Sequence, residues 1–138
     1  MVVEGGVFGV ALLLGRLAFG GLLAFQGLNH FLDLEGMAGY AEMKGIPAPK
    51  LAVVASGLFL IGGGLGIALG VFPLVAAAAL TVFFLITTPT MHDFWAAPEE
   101  QRENEMIHFI KNVELLGASL VFLALASEAW PFAVGIGL

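Results

Sequence analysis

There is no cysteine in this chain. That excludes a thiol–disulfide relay, a thiolate-held iron–sulfur cluster and covalent c-type haem, so any redox chemistry must rest on a non-covalent cofactor or on a partner. Charge is scarce too. Charged residues make up 12% of the 138 positions, where a soluble domain carries about 25%. Lys and Arg number 5 against 11 acids, a net charge of −6. So few cations cannot track a phosphate backbone, which excludes nucleic-acid binding. The opening sequence MVVEGGVFGV has no basic run, and no cleaved signal peptide is expected from it.

Apolar residues fill the space that charge leaves. They make up 59% of the chain, and the mean hydropathy is +0.99. A helix needs about 20 apolar residues to cross a bilayer. Four segments meet that rule, at about 7–30, 51–69, 74–91 and 107–127. The expected fold is an all-α membrane protein, a single four-helix transmembrane bundle over residues 1–138 in up-down-up-down order. Gly70-Val71-Phe72-Pro73 is a tight turn that pairs the middle two spans. Residues 31–50 form a polar loop in which Leu34–Lys44 suits a short interfacial helix, closed by Gly45-Ile46-Pro47-Ala48-Pro49. Residues 92–106 form a second loop, with Phe94 and Trp95 at headgroup level and Glu99–Glu105 as a solvated acidic run. The tail FAVGIGL is expected along the membrane surface. Gly62, Gly66 and Gly70 recur every four residues, a ridge that admits close helix packing within the chain or between copies in a homo-oligomer. Lys44, Lys50, Arg102 and Lys111 all flank the long loops, so a cell-membrane location with those loops cytoplasmic and the termini outside is expected.

Polar groups collect at one end of such a bundle. His30, His92 and His108 all lie there, together with Gln26, Asn29, Tyr40, Lys44, Asp93, Lys111 and Asn112. Glu114 sits about one turn deeper than Ile110. Arg16 is mid-span, and helical phase sets it within one broad face with Gln26 and His30. It is either satisfied by carbonyls or an interface, or it is a buried counter-charge to Glu114. Interfaces gather such residues because they are wet, but that applies to both ends of a bundle. A one-sided cluster suits a quinone-type pocket, where a ring carbonyl needs a hydrogen-bond donor and reduction needs protons. In that reading His92, Asp93, His108 and Glu114 are catalytic, and Arg16, Gln26, Asn29, His30, Tyr40, Lys111 and Asn112 bind the ligand. No HxxxH or HExxH spacing supports a metal site, and none supports axial haem ligation.

The segments GRLAFGGLLAFQGLNHF, KGIPAP, GLFLIGGGLGIALG, His92-Asp93 and FIKNVELLGASL occur in an order and spacing that resembles the DoxX family of small four-helix membrane proteins. The resemblance runs over roughly Leu14–Leu123. That family includes the DoxD subunit type of thiosulfate:quinone oxidoreductase. The resemblance implies a subunit associated with respiratory or sulfur-linked electron transfer, interacting with quinone and often standing beside a soluble redox or other membrane subunit. Many members carry a glutamate shortly before the paired glycines of the second helix. Here that stretch is Phe59-Leu60-Ile61-Gly62-Gly63, so the chain either lacks that residue's activity or uses Glu114 instead. Two other expectations stand beside this one: a scaffold that docks a soluble partner through Glu99–Glu105, and a small oligomeric transporter.

Overall fold

Backbone N–H and C=O groups find no water in lipid, so an apolar segment that spans it closes its hydrogen bonds within a helix. The computed structural model describes residues 5–137 and has that form. Helix α1 runs Gly6–Leu32, α3 Pro49–Leu69, α4 Pro73–Met91 and α5 Glu99–Ala124. All four are long and apolar enough to cross a membrane. The short helix α2, Leu34–Met43, lies between α1 and α3, and Phe94–Ala96 forms a 3₁₀ turn before α5. Pro49 and Pro73 open α3 and α4 at positions where a missing N–H costs nothing, and Gly70 ends α3 in a left-handed conformation at φ 69°.

Close packing depends on paired glycines. Gly20 lies against Gly64 and Gly27 against Gly57, so α1 and α3 run antiparallel with their backbones almost touching. A Cβ on Gly27 would stand 2.7 Å from the Gly57 carbonyl oxygen. On its other side α3 meets α4, with Gly63 under Leu80 and Gly66 under Ala76. Only Gly62 of the expected ridge has open space over it; Gly66 packs inside the chain and Gly70 caps the helix. Leu23, Leu60, Ile67, Ala77, Leu80, Phe84 and Phe122 form the main core. Helix α5 packs on α4, and Phe19 of α1 meets Phe122 of α5 at 5.2 Å.

Leu17–Gly21 is a π-helical turn inside α1. Such a turn inserts one residue and rotates everything beyond it by roughly 100° relative to a regular helix. It removes the shared face expected for Arg16 and Gln26: Arg16 is buried, at 1% exposure, and Gln26 is exposed. The Arg16 guanidinium donates from Nε to Ile67 O at 3.2 Å and from Nη2 to Ala68 O at 3.0 Å. It also reaches Pro131 O at 2.7 Å and Phe132 O at 3.2 Å. Ile67 and Ala68 belong to the last turn of α3, whose carbonyls have no partner within the helix and carry its negative dipole end. Arg16 is therefore satisfied by carbonyls, and the alternative of a Glu114 counter-charge is not realised.

Those contacts also hold the tail. It folds back onto the α3–α4 turn. Val134 N–H donates to Leu69 O at 2.8 Å, Gly135 N–H to Gly70 O at 3.1 Å, and Phe72 N–H to Ile136 O at 2.6 Å. Replacing Gly20 by Val is expected to destabilise the protein by about 1–3 kcal/mol through overpacking against Gly64. Gly62→Val, which meets no neighbour, is the control. Thermal unfolding in mild detergent should show a lower midpoint for the first and little change for the second.

Candidate functional site

Helix α2 buries Ala38 and Ala41 against Val53 of α3, with Leu34, Met37, Ile46 and Met91 around them. Tyr40 in the last turn of α2 and Lys44 at its C-cap are four residues apart and come together on one side. Helix α4 ends at Met91 shortly after Pro89, leaving His92 and Asp93 in the chain that leads to the 3₁₀ turn. Helix α5 begins at Glu99, about two turns before the apolar segment that starts at Ile107. Pro98 stands before its first turn, and Glu99 and Glu100 face the positive end of the helix dipole. The acidic run is therefore helical, and one of its members turns inward.

That member is Glu105. It had been expected in solvent, but it is 5% exposed and lies at the centre of a polar network. Tyr40 Oη donates to Glu105 Oε1. His92 Nδ1 lies 3.0 Å from Glu105 Oε2 and donates to it in the tautomer protonated there. Lys44 Nζ lies 4.0 Å from the same oxygen and 2.6 Å from Asp93 Oδ1. The His92 ring stacks on His108 with centroids 5.1 Å apart and planes at 24°. Lys111 Nζ stands 3.4 Å from His108 Nδ1. Phe94, Trp95 and Phe109 form an edge-to-face group beside the histidines, with centroids 5.3–5.8 Å apart. Trp95 is exposed, as an aromatic at headgroup level would be.

The structure thus brings Tyr40, Lys44, His92, Asp93, His108 and Lys111 together and adds Glu105. It keeps the other candidates apart. His30 Nδ1 pairs with Ser56 Oγ at 2.8 Å and Val53 O at 3.2 Å, between α1 and α3. Gln26 and Asn29 are exposed on α1. Asn112 is half-buried on α5, and Glu114 is exposed on its outward face. Arg16 is at the opposite end of α3 from the Val53 carbonyl that holds His30. A signal for Glu105 was present: Ser119, Asn112 and Glu105 are seven residues apart, so they return to one stripe of a helix, and Ser119 is fully buried.

Tyr40 Oη has one proton and two acceptors within reach, Glu105 and Met91 O, the latter at 3.1 Å. With Glu105 ionised the phenol donates to the carboxylate. When the carboxyl gains a proton it can donate to the phenol, which then turns to Met91 O. Rotation of that one hydroxyl would accommodate a proton on Glu105. Among the described residues no group of three His, Asp or Glu is arranged to hold a metal ion. The stacked His92 and His108 rings also do not suit ligation of one haem iron from opposite faces.

The DoxX family model matches residues 11–93, which cover this end as far as Asp93 but not the Phe94–Ala96 turn or α5. The chain belongs to the DoxX family. This DoxX protein is also 28% identical over 112 residues to the inner membrane protein YphA of Escherichia coli (strain K12), covering 81% of the chain and 80% of that protein. No solved structure matches it. With four spanning helices it is an integral, multi-pass membrane protein. Tyr40, Lys44, His92 and Asp93 fall within the matched residues of the DoxX model, and Glu105 and His108 fall beyond them.

Burial pushes the Tyr40 phenol above its ordinary range, and the hydrogen bond to Glu105 and the charges of Glu105 and Asp93 add to it. Each cause disfavours the phenolate, so Tyr40 remains a donor across physiological pH. Tyr40 is the only tyrosine in the chain, so phenolate absorbance reports on it directly. The ultraviolet titration is expected to rise well above the free-tyrosine midpoint of about 10. Glu105→Gln should lower that midpoint, and a free-tyrosine midpoint in the unaltered protein would contradict the network.

Proposed function

We propose that this DoxX protein is a membrane subunit of an electron-transfer system that offers a quinone head group a proton-exchanging site at its polar end. The observation that carries this reading is the buried Glu105 carboxylate, bonded to Tyr40 and His92 and backed by Lys44. Reduction of a quinone takes electrons from a redox partner and protons from nearby acids. Imidazole exchanges protons near neutral pH, a carboxylate beside it stabilises its protonated form, and a donor N–H polarises the ring carbonyl. In this reading His92 and His108 face the head group and pass protons to it, the Glu105 and Asp93 carboxylates let an imidazole hold a proton, and Tyr40 holds Glu105 in place. The exposed Trp95 and the Phe94–Phe109 pair give an aromatic surface at the depth where a quinone ring would lie. Lys44, Lys50, Arg102 and Lys111 flank this end, which supports a cytoplasmic orientation by the positive-inside rule. The relative's description as an inner membrane protein supports the same kind of membrane for this chain.

Purified protein in detergent is expected to bind a fluorescent quinone analogue, and His92→Ala with His108→Ala should abolish that binding. Glu105→Gln should retain binding but lose the proton uptake that accompanies reduction of the bound analogue. Binding that is unchanged in the double variant would sink the proposal.

A second reading rests on the outer face of α5. Glu99, Glu100 and Glu103 remain exposed there while Glu105 turns inward, which leaves an acidic surface for a basic soluble partner. Reversing those three charges should release such a partner from isolated membranes without shifting the unfolding midpoint. Retention of the partner would remove this reading.

A further inference from the structure

Two of the charged groups in the long helices, one at each end of the bundle, have an explanation. Arg16 is satisfied by four carbonyls, and Glu105 by the polar network. Glu114, within the apolar part of α5, has none. It makes no hydrogen bond or ion pair among the described residues, and it is exposed on the outward face of α5. It stands about 9 Å beyond His108 along the helix and about 15 Å short of the helix end. A carboxylate at that depth is costly against lipid, and glutamate is too short to reach the interface as lysine does.

The surrounding face fits a protein partner. α5 is the least covered of the four spans, with 11% of its apolar window buried. Ile110, Val113, Leu120 and Val121 are exposed along it, and Gly117 has nothing within 4 Å of where a Cβ would stand. Lys111 is exposed one turn above Glu114. Apolar contact gives helices no drive to associate in lipid, so close approach at a small residue and a polar pair must supply it. Gly117 and the Lys111–Glu114 pattern provide both.

We infer that this face joins a second copy of the chain. Two copies in the same membrane orientation, related by a twofold axis along the membrane normal, set α5 against α5 at Gly117. Lys111 of each copy then pairs with Glu114 of the other. The pattern is self-complementary, because a cation and an acid lie on one face a turn apart and the twofold axis satisfies both pairs at once. The glycines of α3 offer much less for this purpose. Gly57, Gly63, Gly64 and Gly66 are filled from within the chain, and only Gly62 is open.

The absence of cysteine gives a clean background for the test. Gly117→Cys in native membranes should cross-link to a dimer under mild oxidation, while Leu58→Cys, exposed on α3, should not. Adding Lys111→Glu or the isosteric Glu114→Gln to the Gly117→Cys chain should reduce cross-linking to the Leu58→Cys level. The exchange of both charges, Lys111→Glu with Glu114→Lys, should restore it, which a misfolded variant could not do. The inference fails if Gly117→Cys stays monomeric, if both positions cross-link equally, or if the single charge changes leave cross-linking intact.

Discussion

The Glu105 carboxylate is withdrawn from water at the end of a lipid-facing bundle, and the groups around it are set by that fact. An ion loses several kcal/mol of hydration on burial, and fixed donors must replace the lost water. Tyr40 and His92 donate to it, and Lys44 stands 4.0 Å away with its charge shared with Asp93. These groups come from α2, from the segment after α4 and from α5. One carboxylate therefore ties together three parts of the chain that hydrophobic packing alone would leave free to slide in lipid.

Arg16 does comparable work at the other end. Its donors take the orphan carbonyls of α3 and those of Pro131 and Phe132, and so dock the tail over the α3–α4 turn. The two ends differ in what remains free. At the Arg16 end the guanidinium is buried and its donors are engaged within the chain. At the Glu105 end, Asp93 and His108 are partly open, and a hydroxyl can turn between two acceptors. The two ions therefore differ in how tightly their surroundings are fixed.

Much of this was legible in the sequence. Low charge and four apolar segments point to four spanning helices, and the Gly70–Pro73 turn and the α2 helix are visible from local chemistry. Of the groups that the sequence assigns to one end, Tyr40, Lys44, His92, Asp93, His108 and Lys111 do meet, while His30, Gln26 and Asn29 stay apart. Glu105 was missed because its neighbours Glu99, Glu100 and Glu103 are exposed and hide it within a charge run. Only the heptad spacing to Asn112 and Ser119 distinguishes it. The shared face of Arg16 and Gln26 failed because a π turn between them carries no compositional mark.

Composition and periodicity fixed what every residue faces on average, which is lipid or water, because transfer free energies add along the chain. They therefore determined a bundle of four helices in a membrane with its polar groups at one end. Which polar group meets which was decided by tertiary structure. Helix phase beyond a π turn, the depth at which Gly20 and Gly27 let α1 approach α3, and the point where α5 begins are set by packing between distant segments. Hydrogen bonds act over about 3 Å, so a shift of one helical position in any of them redistributes the partners. That is why Arg16 met carbonyls, His30 met Ser56, and the buried centre fell to Glu105 rather than to Glu114.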